Sequence, residues 1–155
     1  DVLAWQAASG PSPELIGHLV ELRQMIEPTT ARLAAMRRSA EDLAALETAL
    51  AGMHAAIDDP LAYYHADLAF HRAVFAASGN PFVDCLGAIV SAVLEVTFRL
   101  QRRSLIPMSV GLALHDRVFE AVRAGDAEGA QRAMLDIIEG AKTELEHVTP
   151  IRGQA

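Results

Sequence analysis

The sequence has one cysteine, few aromatic residues and fewer basic than acidic side chains. A lone cysteine, Cys85, excludes an intramolecular disulfide and gives no sign of an oxidising compartment. Because Cys85 lies in an apolar stretch, we expect it to pack in the core. Aromatic residues make up only 5% of the chain, whereas hydrophobic residues make up 52%, and this balance favours close helix packing over a β-sandwich.

Positive charge is also scarce, with 13 basic against 20 acidic residues and a formal net charge of -7. Such a chain lacks the clustered Lys and Arg that bind phosphates, so we expect no DNA binding by this segment itself. The most apolar window, residues 82–98, is interrupted by Asp84 and Glu95 and is shorter than the roughly 20 residues that span a bilayer. With no signal peptide at its start, the sequence predicts a cytoplasmic protein without a membrane span.

Helix-breaking residues divide the chain into about seven helices, and no strand pattern occurs. Short loops between helices of this length favour a single all-α, antiparallel bundle over residues 1–150, followed by a tail at 151–155. Pro28 should kink or end the second helix. The predicted helices cover approximately residues 3–8, 13–38, 40–57, 60–78, 81–104, 109–124 and 127–148.

Four polar residues fall on helix stripes that are otherwise apolar and should face the core: Arg23, Asp67, His71 and His115. Asp67 and His71 are one turn apart on the same face, and a carboxylate with an imidazole at this spacing is half of a plausible metal site. The alternatives are a buried Asp–His hydrogen bond or an Asp67–Arg23 ion pair, a satisfied core histidine at 115, and an Arg23–Glu27 pair one turn apart.

Motifs for enzymatic chemistry are weak in this sequence. Glu144 and His147 match one half of a di-iron bundle motif, but no second half occurs, so we interpret them as a solvated terminal turn. No glycine-rich phosphate loop or nucleophile elbow is present. The residues therefore favour a binding function over catalysis.

Three segments resemble, in order and spacing, motifs in the C-terminal domain of FadR-type regulators of the GntR family. They are residues 21–28 with 31–35, residues 67–71 with 77–81, and residues 115–126. The resemblance extends over roughly residues 2–148 and implies a helical bundle that encloses a cavity for a small metabolite. It also implies that the intact regulator has a preceding winged helix-turn-helix domain, which is absent from these 155 residues and through which alone it would bind DNA.

The resemblance further implies a ligand set. In the metal-binding branch of the family an Asp and three His hold a divalent ion, and a carboxylate effector binds the ion and an arginine. Asp67, His71 and His115 match three of the metal ligands and Arg23 matches the effector arginine, whereas Ile137 replaces the third His. Two alternatives remain: a weakened site for Zn²⁺, Ni²⁺ or Mn²⁺, or a metal-free pocket.

Our leading hypothesis is an effector-binding, homodimeric regulatory module that is not an enzyme and that binds a small anionic metabolite such as a sugar acid or a short carboxylic acid. One rival is a small metal-dependent hydrolase or oxygenase built on the Asp67, His71 and His115 set. The lack of a further inward Glu or Asp to act as general base disfavours it. The other rival is a dimerisation module with a degenerate pocket.

Overall fold

The computed structural model describes residues 12–101 and 104–148, and within these ranges the chain forms six α-helices and no strand. The predicted all-α fold is therefore confirmed, while the short helix predicted at residues 3–8 lies outside the described residues. The helices are α1 (Pro13–Arg37), α2 (Ala40–Ala55), α3 (Pro60–Ala77), α4 (Pro81–Gln101), α5 (Met108–Ala124) and α6 (Ala127–Val148).

Side-chain caps fix the helix starts where the sequence predicts them. The Ser12 hydroxyl accepts a hydrogen bond from the backbone N–H of Leu15 at the start of α1. Ser39 and Asp42 form a reciprocal capping box at the start of α2. Each of these bonds satisfies a backbone N–H that the first helical turn leaves without an intrahelical partner.

Pro28 does not end α1, which continues from Pro13 to Arg37, so the expectation of a helix end at this residue is wrong. Proline removes one backbone donor from the helix interior, but Pro28 is buried and α1 packs along α6 and α3. The tertiary contacts outweigh the local preference, so Arg23 and the residues after Pro28 stay on one rigid element.

Helix packing creates a large core and a smaller apolar cluster on either side of α3. The large core joins α1, α2, α3, α5 and α6, and the smaller cluster lies between α3 and α4 around Tyr64, Phe75 and Leu94. Alanines at 31, 34 and 35 are fully buried on α1 and allow neighbouring helices to approach closely. The side chains at the centre of the large core are Leu46, Met53, Phe70, Val74, Met134 and Ile138.

Helix α4 exposes much of its apolar surface. Cys85 is exposed rather than packed in the core, so that expectation is wrong. Phe82 is 84% exposed and Ile89 46% exposed. By length and composition alone α4 is able to cross a membrane, contrary to the expectation from the shorter apolar window. A helix that packs one face on a soluble bundle meets the same criteria, and α4 does so through Val90 and Leu94.

Candidate functional site

One cavity of about 540 Å³ brings together all four polar residues that the sequence singled out. Arg23 comes from α1, Asp67 and His71 from α3, and His115 from α5. Ile137 of α6 lines the same cavity. The volume lies in the range typical of small-molecule sites in proteins.

Asp67, His71 and His115 form a compact group whose donor atoms face each other, as a set that could hold a metal ion. The Nε2 atom of His115 lies 2.9 Å from Oδ1 of Asp67 and 3.4 Å from Nε2 of His71. The Nε2 atom of His71 is 3.8 Å from the same Asp67 oxygen. An ion with bonds of about 2.0–2.1 Å separates neighbouring donors by roughly 3.0–3.4 Å, so the three atoms fit around one ion with small adjustments.

The second nitrogen of each ring contacts an oxygen atom. Nδ1 of His115 lies 2.7 Å from the Gly111 carbonyl oxygen, which only accepts hydrogen bonds, so Nδ1 bears the proton. Nδ1 of His71 lies 2.7 Å from Oε2 of Glu27, an ion-pair contact between the two side chains. Nε2 of both rings faces the Asp67 carboxylate, where a shared cation or a proton would join these atoms.

Glu27 is the central residue that the sequence analysis did not assign to the site. It is fully buried, and its Oε1 atom pairs with Nε of Arg23 at 2.6 Å while Oε2 contacts His71. Burial by itself would raise the pKa of Glu27, but the charges of Arg23 and His71 lower it to about 2, so it is ionised. The i to i+4 alternative for Arg23 is therefore observed, and the described residues contain no Asp67–Arg23 ion pair.

The acidic ligand of the group is ionised as well. Burial would raise the pKa of Asp67, but the hydrogen bond with His115 and the charge of His71 lower it. A carboxylate that stays ionised while largely enclosed supplies the hard oxygen donor that divalent ions such as Mn²⁺ and Zn²⁺ accept.

Arg23 is only 2% exposed, yet most of its guanidinium lacks a protein partner. Its hydrogen bond to Glu27 uses Nε, and within the described residues no hydrogen bond engages its Nη groups. Since the side chain lines the cavity, these donors are available to a bound anion. Guanidinium groups bind carboxylates in a planar, two-bonded geometry.

A second pair of polar side chains lines the same cavity. Nε2 of Gln101 donates to Oε2 of Glu144 at 2.9 Å. Burial raises the pKa of Glu144, and the residue is half-buried, so interpreting it as part of a solvated turn is wrong. His147 is exposed, and its Nδ1 bonds the Thr143 carbonyl oxygen, so it does not join Glu144 at a site.

The FCD domain model matches residues 18–140, and the chain therefore belongs to the FCD-domain family. It is 33% identical over 150 residues to the galactonate operon transcriptional repressor of Escherichia coli K12, a match that covers 96% of this chain and 66% of the repressor. It is 35% identical over 127 residues to the regulator LutR of Bacillus subtilis 168, covering 79% of this chain and 58% of LutR. The chain thus spans under two thirds of the length of these relatives.

Solved structures agree with the fold. A GntR protein of Streptococcus agalactiae superimposes with a TM-score of 0.72 at 26% identity, covering 84% of this chain and 59% of the other. E. coli McbR/YncC superimposes with a TM-score of 0.77 at 16% identity, covering 88% and 66%, a likeness that concerns the fold alone. The predicted relationship to GntR-family regulators is confirmed.

These relatives are transcription regulators, which bears out the prediction that the chain is not an enzyme. The expectation that no further Glu or Asp faces inward, which disfavoured a hydrolase, is nevertheless wrong. Glu27 and Glu144 are further carboxylates that adjoin or line the cavity. Their partners explain why neither acts as a free general base: Glu27 is paired on both oxygens and Glu144 accepts from Gln101.

Proposed function

We propose that the chain is the effector-sensing and dimerisation domain of a bacterial transcription regulator and that it binds a small carboxylate through Arg23 and a divalent ion. The observation that carries the proposal is the buried guanidinium of Arg23, with its Nη groups free of described partners, in the same cavity as the Asp67, His71 and His115 group. The name of the galactonate operon repressor supports a sugar acid as the first ligand to test.

The donor atoms at the centre support the metal-dependent form of the site. Asp67, His71 and His115 bring an ionised carboxylate oxygen and two imidazole nitrogens within reach of one ion. The positive Arg23 is already paired with the ionised Glu27, so a divalent ion would add positive charge for an effector carboxylate.

Each residue then has a distinct role. Asp67, His71 and His115 hold the ion, which supplies positive charge to the effector carboxylate when it is bound. Glu27 holds His71 and Arg23 in position through a contact from each of its carboxylate oxygens. Ile137 offers no donor, so the position beside it is left to water or to the effector.

The bound ion and effector would connect α1, α3 and α5, which are otherwise held together by side-chain packing. A ligand that favours one arrangement of these helices shifts the population of the domain towards it. In a cytoplasmic regulator with DNA-binding domains outside these residues, this shift would change how two such domains are spaced. The acidic charge of the chain is consistent with leaving DNA contact to another domain.

The exposed apolar stripe of α4 supports dimerisation through this helix. Phe82, Cys85 and Ile89 are exposed and follow each other at spacings of three and four residues, and the half-buried Ala92 continues the same face. A two-fold axis across this face would pair α4 with its own copy and cover the apolar side chains. A dimerisation module with a degenerate pocket would bind no ligand, and it would give no reason for burying Arg23 in the cavity.

Thermal unfolding of the chain, stripped by a chelator and then supplied with Mn²⁺, Ni²⁺ or Zn²⁺, tests the proposal. We expect a monocarboxylic sugar acid to raise the melting temperature more with the ion than without it. Arg23→Lys keeps the charge facing Glu27 but loses the planar fork, so it should abolish most of the acid-dependent shift. Arg32→Lys, at an exposed pair on the same helix, is the matched control. An equal shift by the acid without any ion would contradict the metal-dependent form.

A further inference from the structure

Two residues of α6 line the cavity with different chemistry. Ile137 is apolar, and Glu144 follows it two turns later, about 10 Å along the helix axis. Three hydrogen-bonding groups besides the four polar residues described above line the cavity: the Gln101 amide, the Glu144 carboxylate and the Tyr63 hydroxyl, which donates to the Met108 carbonyl oxygen at 3.5 Å. The cavity therefore offers polar groups from α4 and α6 as well as from α1, α3 and α5.

We propose that Gln101 and Glu144 recognise hydroxyl groups at the far end of the effector and exclude a second carboxylate there. This inference rests on the proposed function, because it takes the first carboxylate to lie at Arg23. It assigns the effector to the polyhydroxy monocarboxylic acids and sets it apart from dicarboxylic acids of the same skeleton.

The Glu144 carboxylate has hydrogen-bonding capacity left for a ligand. Its Oε2 atom accepts one hydrogen bond from Gln101, and within residues 12–101 and 104–148 no Lys or Arg side chain pairs with it. Its remaining lone pairs need donors, and ligand hydroxyls supply them. A ligand carboxylate would instead bring a second negative charge against a half-buried carboxylate whose pKa burial already raises.

Tyr63 supports the same division of the cavity. Burial raises the pKa of its phenol, and the charges of Asp67 and Glu144 add to that rise, which places the ring within the field of both carboxylates. The phenol is thus neutral, lies one turn before Asp67 on α3, and lines the same cavity as Glu144. A neutral oxygen in this place suits a chain of hydroxyl groups.

Calorimetric titration of the ion-loaded chain, freed of excess ion, tests the inference with two pairs of acids: gluconate with glucarate, and galactonate with galactarate. Within each pair only the end group differs. For at least one pair we expect the monocarboxylate to bind at least about tenfold more tightly than the dicarboxylate. Hexanoate, which lacks the hydroxyls, should bind more weakly than that monocarboxylate.

Glu144→Gln keeps the size of the side chain and removes its charge. It should therefore reduce the ratio between the dissociation constants of the dicarboxylate and the monocarboxylate by about tenfold. Glu146→Gln, an exposed position on the same helix, is the control and should leave the difference unchanged. Equal binding of both members of each pair by the unaltered chain, or no effect of Glu144→Gln on the difference, would overturn the inference while leaving the proposed function intact. Failure of all four sugar acids to bind the ion-loaded chain would overturn both.

Discussion

Ile137 is the residue where the proposed ion site departs from the four-ligand set that the family resemblance implies. It is 6% exposed and lines the same cavity as Asp67, His71 and His115, so it contributes apolar surface and no donor there. Each donor bond that a site lacks weakens its hold on the ion and leaves a coordination position to water or effector. A site with two histidines and one carboxylate is thus suited to binding an effector at the ion.

Ile137→His should tighten binding of a divalent ion by at least about tenfold, because it adds a nitrogen donor from α6, which contributes none of the three existing donors. Leu135→His, on the same helix but 39% exposed, places an imidazole at the surface and should leave the affinity unchanged. Competition with a chelator, followed by elemental analysis, measures both. Negligible metal content in the unaltered chain and in Ile137→His alike would contradict a weakened metal site.

Single residues show where sequence reasoning reaches its limit in this chain. Arg23, Asp67, His71 and His115 were detectable because each interrupts an apolar stripe, and burial of a charge requires a reason. Glu27 lies one turn from Arg23, but its contact with His71 joins α1 to α3 and is visible only when both helices are in place. Glu144 was assigned to a solvated turn because its hydrogen-bond partner, Gln101, is 43 positions away in the sequence.

Helix ends in this protein are decided locally, and for that reason they could be predicted. Ser12, Ser39 and Asp59 bond backbone N–H groups within three residues of themselves, so a few letters of sequence hold the whole signal. The helix end predicted at Pro28 was wrong because packing of α1 against α6 and α3 outweighs the local cost of a proline inside a helix. The sequence alone does not reveal that packing.

At the start of α2, Ser39→Ala should destabilise the chain by about 1 kcal/mol, because the N–H of Asp42 loses its acceptor. Thr48→Ala is the control: its hydroxyl bonds the Ala44 carbonyl oxygen, which already serves the helix, and alanine is the better helix former. Urea unfolding should show a lower midpoint for Ser39→Ala alone, at unchanged slope. Equal midpoints for the two variants would mean that the capping box contributes nothing to stability.

On the scale of the whole molecule, the proposed ion site and the proposed dimer interface lie on different helices. Arg23, Asp67, His71 and His115 lie on α1, α3 and α5, whereas the exposed apolar stripe lies on α4. Helix α4 packs against α3, the helix that bears Asp67 and His71, and it also lines the cavity through Leu94 and Phe98. A change at the ligand therefore has a direct route to the proposed dimer interface.

Ile89 lies near the middle of α4 and at the centre of the proposed dimer interface. A two-fold axis across the stripe brings a central side chain close to its own copy, so Ile89→Glu would place like charges against each other in an apolar seam. We expect the unaltered chain to sediment as a dimer at micromolar concentration and Ile89→Glu to sediment as a monomer with unchanged helix content. Leu61→Glu, which alters a 59% exposed apolar side chain on α3, should remain dimeric. A monomeric unaltered chain would contradict the dimer. Flotation of the chain with lipid vesicles would instead assign the apolar face of α4 to a membrane.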